Sequence, residues 1–110
     1  MHGVVIISDS ATIVHRTQLA TAALKSRLPT IFSNKAYLNG GGLMSYGPDI
    51  VAASHRAAYY VDRVLKGAKP GDLPIEQPTA FELVVNMKTA KALGLAIPQS
   101  ILLRADELIQ

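Results

Sequence analysis

Asp9, flanked by Ser8 and Ser10, is the cluster in this chain best equipped for chemistry. A carboxylate there can hold a ligand's ammonium group as a charge-assisted acceptor. The hydroxyls of Ser8 and Ser10, with nearby backbone amides, add donors and acceptors. All three follow Val4-Val5-Ile6-Ile7, a β-branched run that reads as a parallel-sheet strand buried on both faces. Ligands bind α/β sheets at the carboxyl ends of such strands. The same residue types also cap helices, so Asp9 has two roles open to it. Ser33-Asn34 repeats the polar ending after a second short strand, Thr30-Ile31-Phe32.

Other chemistries fare worse. Ser10 and His15 are the one tempting nucleophile–base pair, and helical spacing from a strand end does not return that ring to Ser10. The sequence holds no Cys and sets no acidic partner beside His15, so neither a metal site nor a thiol nucleophile is expected. Gly40-Gly41-Gly42 is not followed by Gly-Lys-Ser/Thr, and its glycines are not spaced to open a helix. It therefore matches neither a phosphate loop nor a dinucleotide fingerprint. No cofactor is expected, and the chain is read as a non-enzyme.

Composition agrees. With 110 residues, 49% hydrophobic, 5% aromatic and no Trp, the chain suits one small layered α/β domain. The net charge is +3, but the eleven Lys and Arg are scattered rather than striped, which argues against a nucleic-acid partner. The apolar run 4–7 is far below the about 20 residues of a membrane span. Met1-His2-Gly3 lacks the start of a signal peptide, so as given the chain is expected to carry no export signal.

The elements that must position the polar residues follow from periodicity and punctuation. A helix is expected over 12–27, stopped by Pro29, so that 3–34 forms a right-handed β-α-β unit. A third strand is expected at Leu43–Tyr46. From Asp49 to Lys66, apolar residues recur at three- and four-residue spacing, with Gly67 as C-terminal cap. Tyr59 and Tyr60 should pack at a helix–sheet seam, and His55 and Arg56 should face solvent. The segment 69–74 is turn-rich. Thr79–Met87 alternates as a strand with one buried face, Asn86 caps a helix over 88–93 closed by Gly94, and a final helix is expected over 99–109.

Several ordered stretches resemble a known family: Gly41-Gly42-Leu43-Met44-Ser45-Tyr46-Gly47-Pro48-Asp49, then Arg56 to Pro70, Asp72 to Thr79, Phe81 to Asn86, Lys88 to Leu95 and Ile97-Pro98. Together they are similar to the C-terminal part of ABC transporter substrate-binding proteins, in the branch whose better-known relatives bind aromatic amino acids. The resemblance implies an α/β fold of the type I periplasmic-binding-protein kind, three-layer and built on parallel sheets. It would be incomplete here, with parts of two lobes. Residues 1–40 and 79–110 would be C-terminal-lobe-like, and 43–75 N-terminal-lobe-like. A small polar or amino-acid-like solute would sit between lobes, delivered to an ABC permease outside the cytoplasm.

By that resemblance Ser8, Asp9, Ser10, Ser33, Tyr46, Gly47 and Asp49 are the ligand-binding candidates, with Gly40, Gly41, Gly42 and Pro78 as hinge positions. Relatives often carry Asn or Pro after the Asp, so Ser10 departs from the pattern. The length matches a truncated C-terminal piece. Strands divided between two lobes would leave open edges, so a homo-oligomer formed by segment exchange after Gly42 is expected. Other readings are a self-associating module without ligand, or a small α/β enzyme.

Overall fold

The structure, a computed structural model, describes residues 2–110. Ten regular elements follow one another. They are β1 (Val4–Ile6), α1 (Ser10–Val14), α2 (Arg16–Lys25), β2 (Thr30–Phe32), β3 (Met44–Pro48), α3 (Ile50–Leu65), β4 (Phe81–Asn86), α4 (Met87–Leu93), α5 (Gln99–Arg104) and β5 (Glu107–Ile109). A 3₁₀ turn, Lys35–Gly40, separates β2 from β3. The chain divides into two compact units. One runs to Gly47 and resumes over Glu82–Gln110, and the other is Pro48–Phe81.

The strands form one sheet in the order β1-β2-β3-β4-β5. Val4 pairs with Thr30, Ile31 with Met44, and Val85 with Leu108, all in parallel register. Asn86 N donates to Leu43 O at 2.7 Å, which sets the end of β4 beside the start of β3. That junction is antiparallel, so the sheet is mostly rather than wholly parallel. β1 and β2 bracket α1 and α2 as the expected β-α-β unit.

In the first unit the core is Ala20, Phe32, Tyr37, Leu38 and Val84, with Ile6, Ile13, Leu19 and Ile109 packed against it. The Phe32 and Tyr37 rings stack at 4.5 Å between centroids. Gly42 has no side chain because there is no room for one: a Cβ would stand 2.6 Å from Phe32 Cε2. The run Gly40–Gly42, expected as a hinge, lies inside this unit, and Pro78 lies inside the other.

Several sequence expectations need correction. β1 stops at Ile6 and is not covered on both faces: Val5 is 72% exposed and Ile7 79%, so alternate side chains of this edge strand point to an open face. The first helix is two helices broken at His15, and it starts at Ser10 because Asp9 and Thr12 form a capping box. The guanidinium of Arg16 donates to Ile13 O at the break. β3 runs Met44–Pro48 rather than Leu43–Tyr46.

β4 occupies Phe81–Asn86, and its last three residues are all buried, so it is a central strand and not one with a single buried face. The final helix ends at Arg104, and Leu108 and Ile109 belong to β5 instead. Two bonds turn the chain into that strand: Asp106 N donates to Leu83 O, and Leu83 N donates to Asp106 Oδ2, both at 2.8 Å.

In the second unit, α3 spans the expected residues, with Asp49 Oδ1 accepting from Ala52 N as its cap. No residue from 48 to 81 is fully buried. Tyr59 and Tyr60 therefore do not serve as seam packing: Tyr60 donates its hydroxyl to Pro74 O at 2.7 Å, and Tyr59 carries the Arg56 guanidinium 4.2 Å above its ring. Arg56 faces solvent as expected, and there it pairs with Glu76.

Asn86 ties β4, α4 and the 3₁₀ turn together. Its Oδ1 accepts from Thr89 N at 3.1 Å and its Nδ2 donates to Leu38 O at 3.2 Å, both buried. Asn86→Ala removes the cap and leaves buried groups without partners. Chemical denaturation is expected to show a loss of about 1–3 kcal/mol.

Candidate functional site

The carboxyl ends of β1 and β2 meet through their serines. Ser8 N donates to Ser33 Oγ at 2.9 Å, and Ser8 Oγ donates to the Tyr37 hydroxyl at 3.1 Å. The Tyr37 hydroxyl is in turn hydrogen-bonded to Thr12 Oγ1 at 3.0 Å. Thr12 closes the loop on α1: its Oγ1 accepts from Asp9 N at 2.8 Å and its N donates to Asp9 Oδ1 at 2.7 Å. Gly47 in β3 joins the same edge. Any Cβ on it would collide with the Ser33 carbonyl, which is why a glycine stands at this position of the strand.

The structure thus brings together Ser8, Asp9, Ser33 and Gly47 from the sequence candidates. Ser10 is exposed at the first position of α1, and Tyr46 is 55% exposed on β3. Asp49 belongs to the second unit, where it caps α3. Asp9 is an observed helix cap. The bond from the Thr12 amide holds its carboxyl below the ordinary carboxylate range.

Tyr37 and Thr12 escaped the sequence reading. The Tyr37 hydroxyl meets Thr12 and Ser8 across 25 and 29 residues, so no local pattern marks it, whereas the Asp9–Thr12 spacing of a capping box could have marked Thr12. Lys35 was missed as well. It follows β2 and pairs with Glu82 of β4 at 3.4 Å and Glu107 of β5 at 3.6 Å. Glu82 first, then Glu107, raises the Lys35 pKa. Exposed pairs of this kind add little stability, and what they set is the position of the Lys35 ammonium. Among the described residues, no group of three or more His, Asp or Glu is placed to hold a metal ion, and no helix is long and apolar enough to cross a membrane.

Within the second unit, Arg56, Tyr60 and Glu76 line an open groove of about 440 Å³ with Asp49, Gln77 and Ala80. Arg56 grips Glu76 with two nitrogens, Nε reaching Oε2 at 2.8 Å. This pairs the middle of α3 with the strap that follows it.

Comparison with known proteins decides the family. Residues 1–109 match the family model of the ABC transporter substrate binding protein. The chain belongs to that family. It is 25% identical, over 88 residues, to a tyrosine-binding protein of Clostridioides difficile (strain R20291), covering 80% of this chain and 26% of that relative. It superposes on the crystal structure of a conserved domain protein from Vibrio cholerae O1 biovar El Tor str. N16961 with a TM-score of 0.86 and 27% identity. That match covers 94% of this chain and 35% of the other.

An ABC domain from Streptococcus pneumonia, solved in complex with L-Trp, gives a TM-score of 0.82 and 31% identity, over 92% of this chain and 35% of that one. The chain thus spans about a quarter of the curated relative and about a third of the solved chains. The α/β fold with its five-stranded, mostly parallel sheet is the portion of a substrate-binding protein that these relatives share with it.

The Arg56–Glu76 pair generates a pH prediction for this family member. The Arg56 guanidinium foremost, then the Tyr60 hydroxyl, holds the Glu76 carboxyl at about 2, down from 4.5. A carboxyl depressed by folding stabilises at pH values above its unfolded pKa, and that contribution fades as pH falls through the folded one. Amide exchange in residues 74–80, corrected for intrinsic rate, is expected to speed up between pH 4.5 and about 2. In Glu76→Gln this acceleration should vanish and exchange should be fast throughout.

Proposed function

We propose that this chain is part of a solute-capture protein of an ABC importer, holding a small polar or amino-acid-like ligand and performing no chemistry on it. The observation that carries this reading is the 31% identity, over 92% of the chain, to the domain solved in complex with L-Trp. The tyrosine-binding relative points to the same ligand class. On this reading Ser8, Asp9, Ser10, Ser33, Tyr46, Gly47 and Asp49 face the ligand, with the second Asp9 oxygen taking its ammonium group.

Residues 1–40 and 79–110 would belong to the C-terminal lobe, and 43–75 to a piece of the N-terminal lobe. Gly40 to Gly42 and Pro78 serve as hinge positions. The protein works outside the cytoplasm, handing its solute to an ABC permease.

Isothermal titration with L-tryptophan, L-tyrosine and a panel of carboxylates, on the longest natural polypeptide containing this chain, tests the reading. Saturable binding to an amino acid is expected, and Asp9→Asn should weaken it about tenfold or more while the melting temperature holds, since Asn caps as well as Asp. Turnover of any panel member, or preference for duplex DNA over every solute, overturns it.

A second reading is favoured by one specific observation. A 16-residue amphipathic helix, α3, has no buried residue, and Ile75 beside it is fully exposed. Such a helix draws its stability from a covered apolar face. A second copy of the chain, exchanging the segment after Gly42, would cover it and form a homo-oligomer. Light scattering on the 110-residue chain is expected to give a dimer or larger species across a dilution series. A cooperatively melting monomer at low micromolar concentration excludes self-association.

A further inference from the structure

The sheet has two edges, and they are defended differently. At the β5 edge, Glu107 carries a charge and holds Lys35, and Asp106 stands just before it. Charges so placed oppose edge-to-edge pairing. At the β1 edge, the run from Gly3 to Ser8 has no charge and no proline, and Val5 and Ile7 are largely exposed. The backbone there has a definite parity. Val4 N donates to Pro29 O at 2.9 Å, and Ile6 O accepts from Ser33 N at 3.3 Å. Val4 and Ile6 thus turn their polar groups toward β2. The N–H and C=O of one residue share a side, and the side alternates along a strand. Val5, with Gly3 and Ile7 flanking the strand, turns its groups to the open edge.

We infer that β1 pairs antiparallel with β1 of a second copy, across a two-fold axis at Val5, so that two sheets become one. This rests on the self-association reading above and places the contact on β1 rather than on an exchanged segment. With Val5 opposite Val5, Gly3 of each copy faces Ile7 of the other, and each of these pairs can exchange two backbone bonds. Opposed side chains share a face, so the Val5 pair meets on the open side and Gly3 leaves room for Ile7. Exposed His2 falls opposite Ser8, one residue from Asp9, so the ends bring a base toward an acid and no like charges together. The two-fold contact is isologous and uses up β1, while the charged β5 edge stays unpaired, so assembly closes at a dimer.

Sedimentation velocity on the 110-residue chain, with circular dichroism alongside, reads the assembly. The unsubstituted chain is expected to run as a dimer at low micromolar concentration. Val5→Pro removes an outward N–H and no bond to β2, and Val5→Lys sets two like charges at the axis. Both should run as folded monomers. The chain has no cysteine, so Val5→Cys supplies a single thiol. Residues opposite each other in such a pair stand about 5.5 Å apart at Cα, within disulfide reach. Mild oxidation should therefore link Val5→Cys into a covalent dimer and leave Leu108→Cys, on the β5 edge, as monomer.

Folded Val5 variants that remain dimeric overturn the β1 contact and leave segment exchange after Gly42 as the mode of association. Equal cross-linking of the two thiols overturns it as well. Should Val5→Pro fail to fold, Val5→Lys and the thiol pair still decide. If the unsubstituted chain is a folded monomer, self-association itself fails and takes this assignment with it. Slow amide exchange at Val5 in that monomer would show the edge covered from within the chain, which also excludes a second copy there.

Discussion

Tyr37 stacked on Phe32 is the contact on which the first unit depends. The pair lies at the centre of its core, and a fully buried phenol must spend its hydroxyl on a partner or lose the free energy of an orphaned polar group. Here that requirement is met by Ser8 and Thr12, so one ring anchors both the hydrophobic packing and the polar strand ends. Gly42 is small because the Phe32 ring occupies the space above it. Apolar packing, backbone path and the candidate ligand edge are consequences of placing one aromatic residue.

The two units are held by different physics. The first has a closed core with every buried side-chain nitrogen and oxygen partnered among the described residues, and its capping residues are satisfied. The second contains a long helix and a strap without a single fully buried residue. Polar and ionic contacts join its parts: Arg56 to Glu76, and Tyr60 to Pro74. Such contacts give geometry and little net free energy when exposed. Apolar burial, the dominant favourable term in folding, is the ingredient the second unit lacks.

Family membership and local chemistry meet at the strand ends. The shared fold places β1 and β2 side by side in parallel, and that topology alone brings Ser8 against Ser33. Asp9 shows how one residue meets two demands. One carboxylate oxygen caps α1, and the cap in turn holds the carboxyl in its ionised form. Capping is therefore compatible with, and helps prepare, a charged group at this edge.

What the sequence determined by itself is what short-range physics writes into neighbouring residues. Asp49 and Asn86 cap helices three residues away, and Gly67 and Gly94 take the positive φ that ends a helix. The β-branched runs become strands, and the ordered motifs carry the family across the chain. Tertiary structure decided the rest. Leu108 and Ile109 continue a helical spacing as well as they suit a strand, and only the ladder offered by β4 settles the matter.

The break at His15 and the exposure of β1 depend on neighbours that periodicity does not see. The Ser8–Tyr37–Thr12 chain and the Arg56–Glu76 pair join residues 20 to 29 positions apart. Caps and turns act within one helical turn and are legible in a window of a few residues. Hydroxyl contacts, ion-pair choice and strand order exist only once the chain has brought distant residues together.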